Sequence, residues 1–155
     1  MLNLIKILIL FIFFINDVSA TNFSIKKIAS LSKPWGLSFI NDNEVIISEK
    51  TGKIKIINIT NGQIKEVKHN LNYKNVGQGG LLDIVYKDKY VWIAYTEEVK
   101  KREYTTSIAK GKFSSKKIKF KNIFRAKPDE ITTEFHFGSR LVINNEHLFA
   151  SIGER

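Results

Sequence analysis

The apolar and polar positions of this chain follow two patterns. Near the start, Ile7 to Ile15 is an unbroken run of nine apolar residues behind the single positive charge of Lys6. Val18-Ser19-Ala20 follows it as a small-residue cleavage site, which together is the layout of a secretory signal peptide over residues 1–20. The run is too short to cross a bilayer comfortably, so an uncleaved anchor is the weaker alternative. Cleavage after Ala20 leaves residues 21–155 as the mature segment, with no stable membrane span.

Beyond the leader, helical periodicity nearly vanishes. Short apolar runs alternate with turn residues, as in an all-β chain. Trp35 to Ile40, Glu44 to Glu49, Lys53 to Ile59 and Gln63 to Val67 read as four strands. Asn41-Asp42-Asn43, Thr51-Gly52 and Asn61-Gly62 are their turns, the last being a strong two-residue hairpin signal. Leu81 to Tyr86, Tyr90 to Tyr95, Thr105 to Phe113 and Lys117 to Phe124 form a second set. Ser139 to Ile143 and His147 to Ile152 begin a third.

The sets repeat. Gly36-Leu37 and Gly80-Leu81 lie 44 residues apart, and Gly36-Leu37-Ser38-Phe39-Ile40-Asn41 resembles Arg140-Leu141-Val142-Ile143-Asn144. A four-stranded period of this length predicts β-propeller blades, about two and a half of them. A β-sandwich accounts equally well for the strand count but not for successive meanders. So few blades cannot close a ring, and the expectation is the N-terminal part of a longer propeller domain over residues 21–155.

Composition changes this picture little. There are no cysteines, so an exported protein of this kind is held by packing and not by disulfides. The formal charge is +10, carried by 21 lysines and four arginines. The lysines are dispersed and often alternate with isoleucine, as in Lys53-Ile54-Lys55-Ile56, which in a strand is a solvated face opposite a buried one. Nucleic acid is therefore not an expected partner, because such binders cluster arginine with stacking aromatics. Trp35 is expected in the core. His69, His136 and His147 lack ligand-like spacing, and no metal site, nucleotide fingerprint or P-loop is visible.

The stretch Glu134-Phe135-His136-Phe137-Gly138-Ser139-Arg140-Leu141, returning at Gly153-Glu154-Arg155, is the densest chemistry in the chain. A histidine with a carboxylate close by suits a general base with an orienting partner. A three-residue loop, Asn144 to Glu146, would pair Ile143 with His147 and set His136 opposite Glu154. A two-residue loop would put them on opposite faces.

Three stretches, in order, resemble the soluble quinoprotein sugar dehydrogenases, the glucose/sorbosone dehydrogenase family. They are Lys33-Pro34-Trp35-Gly36-Leu37, Gly77-Gln78-Gly79-Gly80-Leu81-Leu82-Asp83, and Phe135-His136-Phe137-Gly138-Ser139-Arg140-Leu141 with Gly153-Glu154-Arg155. The resemblance implies a six-bladed propeller and an exported, periplasmic or secreted, PQQ-dependent aldose sugar dehydrogenase. In that reading His136 removes the proton from a sugar hydroxyl, and a hydride passes from the same carbon to pyrroloquinoline quinone (PQQ). Glu154 stands where the family usually carries aspartate, and its extra methylene lengthens the reach.

Gln78 matches a substrate-binding position, although a glycine-rich blade connection is an equal reading of its surroundings. Arg140 is either a cofactor-binding cation or a structural pairing residue. The calcium ligands and most cofactor-binding cations of the family belong to later blades and are not visible in this chain. The fragment alone is therefore expected to be inactive. A non-enzymatic propeller binding module and an inactive fragment are the alternatives.

Overall fold

The computed structural model describes residues 23–127 and 131–154. The leader expected over residues 1–20 lies outside the described residues. All regular structure among the described residues is β-strand. The first meander comprises β1 (Pro34–Asn41), β2 (Glu44–Glu49), β3 (Lys53–Asn58) and β4 (Ile64–His69), each antiparallel to the next. The second comprises β5 (Leu81–Lys87), β6 (Tyr90–Lys100) and β7 (Glu103–Lys112), with its outer strand split into β8 (Lys117–Ile118) and β9 (Phe120–Arg125). β10 (Leu141–Asn144) and β11 (His147–Ala150) open a third. The three sheets do not close on themselves, and together they form part of a β-propeller.

Burial explains the strands. In β3, Ile54 and Ile56 are buried and Lys53 is exposed, as period-two alternation requires. β2 is buried almost throughout, polar Ser48 and Glu49 included, because both its faces are covered. Ile46 joins Ile54, Ile56, Leu81, Ile84, Val91 and Ile93 in the core between the first two sheets. Val45 and Ile47 pack on the other face with Ile57, Ala29 and Leu31. The inner strands β1 and β5 meet at backbone distance. A Cβ at Gly36 would lie 2.8 Å from the Cα of Asp83, so a glycine is needed there.

Several expectations are corrected. Trp35 is not core. It lies exposed on β1 beside Leu37 and Phe39, on the face opposite Gly36, which turns toward the second sheet. Asn61-Gly62 is not a two-residue hairpin, because the Asn58 side chain accepts hydrogen bonds from the backbone N–H groups of Thr60 and Asn61 (3.0 and 3.1 Å) and starts a wider loop. β6 runs past the expected Tyr95 to Lys100, since Thr96, Glu97 and Glu98 pair with Thr106, Thr105 and Tyr104, and β7 begins at Glu103, ahead of the expected Thr105. The second outer strand is not continuous. β8 pairs parallel with β4 of the first sheet, where Ile118 is fully buried in the shared core.

The last hairpin also differs. Asn144 pairs with His147, so the loop is the two residues Asn145-Glu146. Asn145 has φ +52°, a left-handed conformation that asparagine tolerates. The expected three-residue register is therefore wrong. The ladder begins only at Leu141 and ends at Ala150, leaving Ser139, Arg140, Ser151 and Ile152 outside it.

Candidate functional site

The starts of the inner strands β5 and β10 lie at one end of the sheets, together with the chain leaving β11. Three candidate residues meet there. His136 lies in an irregular segment with φ +57°. Its neighbour Phe137 is buried among Leu82, Ala94, Tyr104, Ile108 and Leu141 and anchors that segment. The Thr106 hydroxyl donates to the Phe137 carbonyl at 2.6 Å. With Phe137 anchored inward, the adjacent His136 faces solvent, its side chain 56% exposed.

Glu154 arrives without help from the ladder. Its Oε1 is 3.8 Å from Nδ1 of His136. The close approach depends on Gly153, where a Cβ would lie 2.0 Å from the His136 carbonyl oxygen. The two residues thus meet through irregular backbone, although the register expected to pair them is absent. At 3.8 Å the contact is longer than a hydrogen bond and suits an ion pair once the ring is protonated. Glu154 is 93% exposed, so water screens the contact in the open site. Among the described residues, Nε2 of His136 has no hydrogen-bond partner.

Gln78 is the third member. Its side-chain oxygen accepts the backbone N–H of His136 at 2.9 Å. Its own N–H donates to the carbonyl of Glu134 at 2.8 Å. The amide oxygen is thus engaged in holding the histidine backbone, and the amide nitrogen is the group left for a ligand. Gly77, at φ +47°, brings the loop against the same irregular segment, where a Cβ would lie 2.3 Å from the Glu134 carbonyl oxygen.

Arg140 stands apart from this trio. Its Nη1 donates to Oδ1 of the buried Asp83 at 3.2 Å, while the side chain remains 73% exposed. Asp83 also accepts the backbone N–H groups of Leu141 at 2.8 Å and Ile84 at 3.0 Å. The carboxylate thereby fastens β10 to β5. Asp83, Thr106 and Lys50, whose ammonium donates to the Gly77 carbonyl, were not singled out from the sequence. Their partners are distant in the chain, so no local pattern could reveal them. Among the described residues no group of three or more His, Asp and Glu side chains is placed to hold a metal ion.

These features define a partial propeller whose candidate site lies where its second and third blades begin. Residues 31–155 match the family described as Glucose / Sorbosone dehydrogenase, and the chain belongs to that family. It is similar to a solved glucose dehydrogenase at 25% identity and TM-score 0.72, covering 79% of this chain and 41% of that one. It is also similar to the soluble aldose sugar dehydrogenase of Escherichia coli, solved in the apo-form. That likeness has 28% identity and TM-score 0.66, covering 73% of this chain and 35% of that one. The PQQ-bound aldose sugar dehydrogenase of Streptomyces coelicolor shares the fold at TM-score 0.71 and 21% identity, covering 83% of this chain and 40% of that one. The chain thus spans about two-fifths or less of the length of these proteins.

Proposed function

We propose that this chain supplies the first blades of an exported, PQQ-dependent aldose dehydrogenase, and that His136 is its general base. The observation that carries the reading is the convergence of Gln78, His136 and Glu154 at one end of the sheets. PQQ, when bound, supplies the acceptor for the hydride leaving the sugar carbon.

The residues present fit one wall of such a site. Arg140 is largely exposed despite its bond to Asp83, and it suits a carboxylate of the cofactor. Gln78 has an amide N–H₂ free to donate to a sugar hydroxyl oxygen. Nε2 of His136 takes the hydroxyl proton as the carbon–hydrogen bond gives up its electron pair. Glu154, on the Nδ1 side, favours the tautomer with Nε2 unprotonated and then stabilises the imidazolium. Its stabilisation grows when substrate and cofactor exclude water from the pair.

A leader over residues 1–20 would place the protein in the periplasm or outside the cell. Reoxidation of the cofactor then falls to an electron acceptor whose identity the sequence does not specify. The test is dye reduction by the purified complete gene product with PQQ and an aldose. Turnover that requires both is expected, while the 155-residue chain alone is expected to give none. A complete gene product that binds an aldose without oxidising it would support the non-enzymatic binding module instead.

A further inference from the structure

We infer that Lys50, at the end of the first blade's second strand, is a positioning residue for His136, acting through the loop that carries Gln78. The inference rests on the proposed role of His136 as the base. Lys50 does not touch the histidine. Its ammonium donates to the carbonyl of Gly77. That carbonyl belongs to the same peptide unit as the Gln78 N–H, which donates to Glu134 at 2.8 Å. The unit is therefore clamped at both ends, by a cation from the first blade and by a carbonyl of the segment entering the third.

A cation on the carbonyl oxygen polarises the peptide group and strengthens its N–H as a donor. The effect continues through the residue, because the Gln78 side chain receives the His136 N–H at 2.9 Å. Three glycines among the four residues Gly77-Gln78-Gly79-Gly80 give this loop little stiffness of its own. Its other ties are the Gly79 N–H to the Val76 carbonyl at 2.6 Å, the Gly80 N–H to the Thr96 hydroxyl at 3.2 Å and the Thr96 N–H to the Gly80 carbonyl at 2.9 Å. None of these acts on the Gly77–Gln78 peptide. Of the described residues, Lys50 is the cation that does, and its backbone is well held to serve as an anchor. Its N–H donates to Lys33 at 2.9 Å and its carbonyl accepts from Leu81 at 3.2 Å.

The test compares Lys50→Met and Lys50→Arg in the complete gene product. Methionine keeps the stem that packs beside Gly80 and removes the donor, whereas arginine keeps a cationic donor. Hydrogen exchange followed by mass spectrometry should show Lys50→Met raising exchange about tenfold in peptides covering 76–79 and 134–137, with the β10–β11 hairpin unchanged. Lys50→Arg should restore protection. With PQQ and an aldose, kcat should fall about tenfold while KM stays within a factor of about two, since the loss is one of base placement. Gln78→Met should reproduce the change at 134–137.

Unchanged exchange at 134–137 in Lys50→Met would overturn the inference even if the enzyme turns over normally. The same exchange pattern in a protein with no aldose oxidation would uphold the positioning and sink the proposed reaction. General loss of protection in every peptide of Lys50→Met would assign Lys50 to overall stability and also overturn the inference.

Discussion

The junction between the first and second blades and the junction between the second and third are built differently. The first has the larger apolar core, with Ile46, Ile54, Ile84, Val91 and Ile93 buried and β1 against β5 at backbone distance, and it adds polar bonds between Ser38 and Tyr86, Ser48 and Leu82, and Lys50 and both Gly77 and Leu81. The second has a smaller core around Phe137 and is joined by specific polar bonds, from Asp83 to Leu141 and Arg140 and from Thr106 to Phe137. A dry core gives rigidity without direction, whereas hydrogen bonds fix particular atoms. The junction that must present His136 is the one with the smaller core, where hydrogen bonds carry the larger share of the joining.

Substitutions should separate the two. Ile93→Ala, at the first junction, should have the largest effect, a loss of about 2–5 kcal/mol in urea unfolding from lost burial and a cavity. Asp83→Ala should cost about 2–3 kcal/mol, because a buried carboxylate bonded to two amides and a guanidinium is removed. Its diagnostic effect is selective, with the Leu141 amide exchanging faster than those of β2 and β3. If Asp83→Ala loosened both junctions equally, the contrast between them would fail.

Glu97 offers a pH test within the second blade. The Arg125 guanidinium holds its carboxyl below the ordinary glutamate range, against some burial and with help from the Ser107 hydroxyl. A folded pKa below the unfolded one gives stability that is full above the unfolded value and is lost as pH falls through the folded value. Glu97→Gln should therefore lower stability by about 1 kcal/mol at neutral pH, with the gap closing as pH falls from the ordinary glutamate value of about 4.3 through the lower folded one. Equal gaps at neutral and acid pH in chemical unfolding would contradict this. Glu154→Gln should change stability least, by less than about 0.5 kcal/mol, because the side chain is exposed.

Much of the scaffold is legible in the sequence, since a period-two strand shows its buried face locally. Lys53-Ile54-Lys55-Ile56 and the turn at Asp42-Asn43 need no tertiary information. The polar end of β6 was not legible, because Thr96 is buried through a bond to Gly80, which comes from elsewhere in the chain. At the site, the residue types were visible and the geometry was not. The hairpin register expected to pair His136 with Glu154 is absent, since Asn144 pairs with His147. The pairing arises instead from irregular backbone that Gly153 permits. For Gln78 the sequence offers a substrate position or a blade connection equally, and it does not reveal that the side-chain oxygen accepts the His136 backbone N–H. Such bonds join residues 58 positions apart, and no spacing rule anticipates them.

The central claim is that this exposed histidine is the base. The most direct measurement is PQQ-dependent aldose oxidation by the complete gene product carrying His136→Ala. The expected result is a fall in kcat of about 10²–10⁴-fold with unfolding unchanged, the range for loss of a positioned general base. A folded variant oxidising aldose within about tenfold of the unaltered protein would contradict the account.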